Sequence, residues 1–155
     1  MKNQEEKDGL LAQLKHHQEL DAFVQGKWLE DVKLDGNGFK GCFYGCTMQS
    51  DNNPIKEFSE KYGIDLWYCH VTEKIFEGLP DGEFQSFPYK SIKVVPLNYD
   101  FNKAKSDFHR GMLLKQLDWV KDEKCRSAIQ QCADLFLVAF DKIEESAAWS
   151  AARSA

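Results

Sequence analysis

Apolar positions along the chain recur mostly at helical spacing. Leu10, Leu11, Leu14, Leu20, Phe23 and Val24 predict a first helix from Leu10, with Gly26 placed to close it as a C-terminal cap. The first eight residues are polar and predict a flexible start. From Lys27 to Gly41 the pattern changes: Val32 and Leu34 alternate with charge, and Asp35-Gly36-Asn37-Gly38 tolerates positive φ. A short hairpin or ordered loop is expected near residues 31–41. Cys42 to Gln49 reads as a short helix stopped by Ser50-Asp51-Asn52-Asn53.

Asn53-Pro54 is a good helix start, because asparagine caps exposed amides and proline at the first position loses no needed hydrogen bond. Ile55, Phe58 and Tyr62 follow at spacings of three and four, and Gly63 ends the segment. Asp65 is placed to cap the next helix, which runs to Gly78 before Pro80. Pro88 opens a short helix that Pro96 ends. Two longer helices finish the chain. In the first, about Asn102 to Val120, Phe108, Met112, Leu113, Leu117 and Val120 form a broad apolar face that leaves Asp107, Arg110 and Lys115 wet. The second, from about Asp122, carries a stripe of Ile129, Cys132, Phe136, Phe140, Ile143 and Ala147, while Leu135, Leu137 and Val138 fill its other sides. A helix apolar nearly all round is expected to be buried, in the monomer or in a dimer interface.

Strand periodicity is poor throughout, so the predicted fold is all-α, a compact bundle of six to eight helices. Its organisation reads as a flexible N-terminus over residues 1–8, a single helical domain over 9–146 and an Ala/Ser/Trp/Arg helical tail over 147–155. The 155 residues suffice for one domain with a sizeable core, and 43% apolar with 29% charged residues excludes a disordered chain. No apolar run approaches the roughly 20 residues of a membrane span, and Met1 to Asp8 lacks the apolar stretch of a signal peptide. A cytoplasmic protein without a membrane partner is the expectation.

The net charge of -5 opposes attraction to nucleic acid or anionic lipid. Residues 90–126 carry +4 and the remainder -9, which reads as a solvated basic helix surface. Cys42, Cys46, Cys69, Cys125 and Cys132 are an odd number without an export signal, so reduced thiols are expected.

The tail Trp149-Ser150-Ala151-Ala152-Arg153-Ser154-Ala155 resembles the Trp-Ser-Ala-Ala-Arg-Ser-Ala-Ala repeats that end a group of bacterial and bacteriophage proteins without an assigned activity. Upstream, Gly26-Lys27-Trp28, Gly41-Cys42-Phe43-Tyr44-Gly45-Cys46-Thr47, Tyr62-Gly63-Ile64 and Ile75-Phe76-Glu77-Gly78-Leu79-Pro80 are similar to other recurring phrases of that group, in the same order. The resemblance implies a phage or mobile-element origin and no mechanism. Trp149 and Arg153 are four apart, so indole and guanidinium can stack on one helical face, and with Phe136 and Phe140 they are the candidate interaction residues.

Cys42, Cys46, Cys69 and His70 could supply four zinc ligands, yet adjacent ligands such as Cys69 and His70 point apart on a helix, so no metal or cofactor is expected. Cys125 and Cys132 read as small core residues. The sharper chemical candidate is Cys46 as a nucleophile flanked by Gly41 and Gly45, with His70 as base and Glu73 or Glu77 orienting the ring. Gly36-x-Gly38-x-x-Gly41 matches a dinucleotide-binding string but lacks its parallel sheet. Asp31 and Asp35 imitate a calcium loop in which Cys42 stands where the bidentate glutamate belongs. His16-His17 reads as a solvent-facing pair. The leading expectation is a non-enzymatic binding or accessory protein acting through self-association or docking to another protein; the alternative is the Cys46 enzyme.

Overall fold

The computed structural model describes residues 1, 3–34 and 38–136. It is all-α apart from one small hairpin. Two compact units divide the chain at Tyr99–Asp100.

The first unit contains α1 (Gln4–Glu19), β1 (Glu30–Leu34), β2 (Gly38–Lys40), α2 (Phe43–Met48), α3 (Pro54–Tyr62), α4 (Leu66–Gly78), a 3-10 turn (Phe84–Ser86) and α5 (Phe87–Lys93). α1 starts earlier than its apolar pattern suggests and also stops earlier. At its start, Asn3 Oδ1 accepts the Glu6 amide at 2.8 Å, Met1 is buried, and Lys7 Nζ donates to the Lys93 and Val95 carbonyls, so residues expected to be flexible are folded. At its end, Asp21 turns left-handed (φ 52°), and Ala22–Val24 bridge Gly41 instead. The Gly41 amide donates to Ala22 O at 3.1 Å, and the Val24 amide donates to Gly41 O at 2.9 Å. These long-range backbone bonds remove Phe23 and Val24 from the predicted helix. β1 and β2 pair antiparallel, Lys33 opposite Phe39 and Leu34 opposite Gly38.

α2 has only six residues, too few to hold a helix by local bonds alone. It is stable because it is enclosed: Phe43, Tyr44, Gly45, Cys46 and Thr47 are all buried. Phe43 stacks on Tyr44 at 4.1 Å, and both meet the Phe58 ring edge-on from α3 at 5.8 and 4.8 Å. Phe76 of α4 meets Phe23 at 6.3 Å and Phe84 at 5.8 Å, extending the aromatic core. Gln13 Nε2 reaches from α1 to the Thr47 carbonyl at 2.8 Å and satisfies an acceptor at the end of α2. Gly45 sits so close to the Trp28 carbonyl that a methyl group there would overlap it, and Gly41 faces the same carbonyl. The glycines admit the protein's own backbone.

α4 begins with Asp65 accepting the Trp67 amide at 2.8 Å. At its other end, Gln25 Nε2 donates to the Phe76 and Leu79 carbonyls at 2.6 and 2.9 Å. The segment of residues 22–28 is thereby tied both to the start of α2 and to the end of α4.

The second unit is described by α6 (Phe101–Gln116) and a further helix, α7, over residues 123–136. Arg126 donates to the Leu117 and Val120 carbonyls, Ser106 Oγ donates to the Phe136 carbonyl at 2.8 Å, and His109 stacks on Phe136 at 5.5 Å. The two helices form an antiparallel pair. Its exposed positions correct several expectations: Phe108, Met112, Cys125, Cys132 and Leu135 face water, while Arg110, expected to be wet, is half-buried. The inward stripe of α7 is Arg126, Ile129, Ala133 and Phe136. Phe140, Trp149 and Arg153 lie outside the described residues. Among the described residues, no helix is long and apolar enough to cross a membrane.

Candidate functional site

Cys46 leaves α2 toward α1, where its Sγ lies 3.5 Å from Nδ1 of His17 and 3.2 Å from the Phe39 carbonyl that accepts its proton. The imidazole beside Cys46 is therefore His17, while His70 is exposed on α4. This corrects two expectations at once. His17 belongs to the Leu10, Leu14, His17 stripe of α1, a spacing of four and three that marks a shared face, so it is buried while His16 stays in water. Burial, helped by the neighbouring His16, lowers the His17 pKa, and burial pushes the Cys46 thiol up to about 12. A thiol with that environment is not an activated nucleophile.

Glu73 and Glu77 do come together, four residues apart on α4, but their sulfur partner is Cys42. The Cys42 Sγ, one carboxylate oxygen of Glu73 and one of Glu77 all lie within 4.8 Å of one another. Each is held from a different direction. Cys42 caps α2, its sulfur accepting the Gly45 amide at 3.4 Å, and its own amide donates to the Lys27 carbonyl at 2.7 Å. Glu77 Oε2 accepts the Gly26 amide at 2.6 Å. Glu73 is 7% exposed, and its Oε2 is buried without a hydrogen-bond partner.

Burial raises the Glu73 carboxyl to about 7, and the negative charge of Glu77 adds to the rise against a lowering hydrogen bond from Cys42. Burial, followed by the charge of Glu73, also pushes the Cys42 thiol far up. Cys42 and Glu73 thus share a place that disfavours their charged forms. They stand at the floor of a cleft of about 220 Å³ that Gly26, Lys27, Trp28 and Lys74 complete.

Sequence spacing could not find this set, since 31 positions separate Cys42 from Glu73. The pairing depends on the 22–28 segment being clamped between α2 and α4. Cys69, the remaining candidate of the notional zinc quartet, is buried, its thiol directed to the Ile64 carbonyl and raised to about 12 by burial. No family model, curated protein or solved structure matches the chain.

Proposed function

We propose that the chain is a non-enzymatic binding or accessory protein of a phage or mobile element, active in the cytoplasm, and that its second unit associates with a second copy of itself. The observation that supports this reading is the placement of large apolar side chains in water on α6, on the turn that follows it and on α7. Trp119 is 79% exposed, Leu135 64% and Met112 54%, values unusual for side chains of this size clustered in one small unit. Lys103 pairs with Asp107 at 3.2 Å and Lys115 with Asp118 at 2.9 Å in the same unit. Removing such side chains from water gains about 25 cal/mol per Å², which favours pairing once the area exceeds the cost of association.

The alternative, an enzyme with Cys46 as nucleophile and His70 as base, draws no comparable support: the thiol is buried and protonated, and the histidine is on the surface.

Sedimentation of the full chain at micromolar concentration tests the association. A species heavier than the 17.9 kDa chain is expected, returning to monomer when Met112 and Trp119 are both replaced by serine. A strictly monomeric wild type refutes the reading.

A further inference from the structure

We propose that Cys42, Glu73 and Glu77 form a binding site for a single divalent transition-metal ion of the zinc class. The proposal is independent of the self-association reading. Three donors from α2 and α4 converge within 4.8 Å at the floor of one cleft. A tetrahedral zinc ion draws sulfur and oxygen donors to roughly 3.5 Å of one another, so closure by about an ångström, within the reach of two glutamate side chains, completes the set.

Glu73 supplies the second, independent observation. It is more than nine-tenths buried and lines the cleft, and its Oε2 has no hydrogen-bond partner. A buried carboxylate oxygen without a donor costs free energy unless something positive meets it. Cys42 offers the carboxyl a hydrogen bond and the Lys74 charge acts on it, yet Oε2 itself has no partner. A cation among the three donors supplies one.

The donor chemistry selects the ion. A thiolate is a soft ligand, favouring zinc and its open-shell neighbours over magnesium or calcium, which prefer an all-oxygen shell. Backbone amides orient the outer side of two donors, Gly45 on the Cys42 sulfur and Gly26 on Glu77 Oε2, as outer partners do around bound metals. One thiolate and two carboxylates around a dication leave a net charge of -1, and Lys27 and Lys74 are among the residues that line the same cleft. Binding displaces the Cys42 thiol proton, and any proton on the carboxyls, to solvent. Three protein donors leave a fourth position facing the cleft, open to water or a small anionic ligand.

The test uses the metal-stripped full chain with Co²⁺ alone as spectroscopic probe and Zn²⁺ as competitor. One equivalent of Co²⁺ is expected to bind with a sulfur-to-metal charge-transfer band, and Zn²⁺ should displace it. Cys42→Ser should abolish the band and weaken binding at least about tenfold, whereas the Cys125→Ser, Cys132→Ser double variant, lacking the exposed thiols, should keep both. If circular dichroism shows that Cys42→Ser is unfolded, Glu77→Gln takes its place and should weaken binding by a similar factor. Absence of saturable uptake at micromolar Co²⁺ overturns the site, as does a charge-transfer band that survives in folded Cys42→Ser, or a Co²⁺ affinity left unchanged by Glu77→Gln. Neither result bears on sedimentation, so the two readings fail separately.

Discussion

The Sγ of Cys46 and the Nδ1 of His17 lie 3.5 Å apart in the interior, and the burial that brings them together holds both in their neutral forms. The contact resembles a catalytic pair in distance and opposes one in electrostatics. Thiol reactivity is therefore expected to follow exposure. Cys125 and Cys132 should be alkylated first under native conditions, with Cys42, Cys46 and Cys69 labelled only after denaturant is added. Peptide mapping after brief iodoacetamide treatment checks the order, and early modification of Cys46 would contradict it.

Two glycine-to-alanine substitutions should move stability in opposite directions. At Gly45 the new methyl would overlap the Trp28 carbonyl, a backbone atom that cannot swing aside, so a loss of about 3 kcal/mol or more is expected. At Gly9, inside α1, nothing lies within 4 Å, and alanine should add up to about 1 kcal/mol through helix propensity. Urea titration of both variants provides the comparison.

Tyr44 and Thr72 form a buried pair whose direction can be assigned. Thr72 Oγ1 lies 2.8 Å from the Tyr68 carbonyl and 3.1 Å from that of Cys69, which take its proton, so Tyr44 donates across 2.6 Å. Tyr44→Phe should therefore cost about 1 kcal/mol, leaving one threonine lone pair unused. Thr72→Val should cost more, on the order of 2–3 kcal/mol, because a buried hydroxyl donor is stranded. A reversed ranking in thermal or urea unfolding would show that the assignment is wrong.

Glu73 makes the metal-free protein sensitive to alkali. Its carboxyl is raised by burial from 4.5 to about 7 in the folded chain, so between those values the folded state holds a proton that the unfolded state has released. Its contribution to stability is complete below pH 4.5 and is lost as pH rises through 7, an effect on the order of 3 kcal/mol by pH 8. Urea midpoints with a chelator present should fall between pH 6 and pH 8 in the wild type. Glu73→Gln, which has no such proton to lose, should flatten that decline.

Local signals in the sequence located most helices of the first unit. Asn53-Pro54, Gly63, Asp65 and the Phe58-to-Tyr62 spacing mark α3 and the start of α4, because a cap, a proline and a left-handed glycine act within a single turn. Even there the detail differs: Asn53 adopts a left-handed conformation (φ 58°) and makes no side-chain cap, whereas Asp65 does. The end of α1 was not legible, since it is decided by Gly41, twenty positions beyond Asp21. His17 was legible through Leu10 and Leu14, whose spacing of four and three places it on their buried face despite its polar neighbour His16. Two of the three candidate ligands were visible as Glu73 and Glu77 on one helical face. Cys42 was not, because its approach to them depends on the clamped segment and on glycines whose clearance only three dimensions reveal.

The enclosure of α2 also governs the order in which the chain can fold. Six residues cannot persist as a helix before their walls exist, and those walls come from far along the chain: Gln13 meets Thr47 across 34 positions, Tyr44 meets Thr72 across 28, and Gln85 meets Phe23 across 62. The rate-limiting step must close several of these loops together before the central contacts repay their entropy. Helical content is consequently a poor guide to its folding speed, which is set by long-distance closure as in a sheet protein.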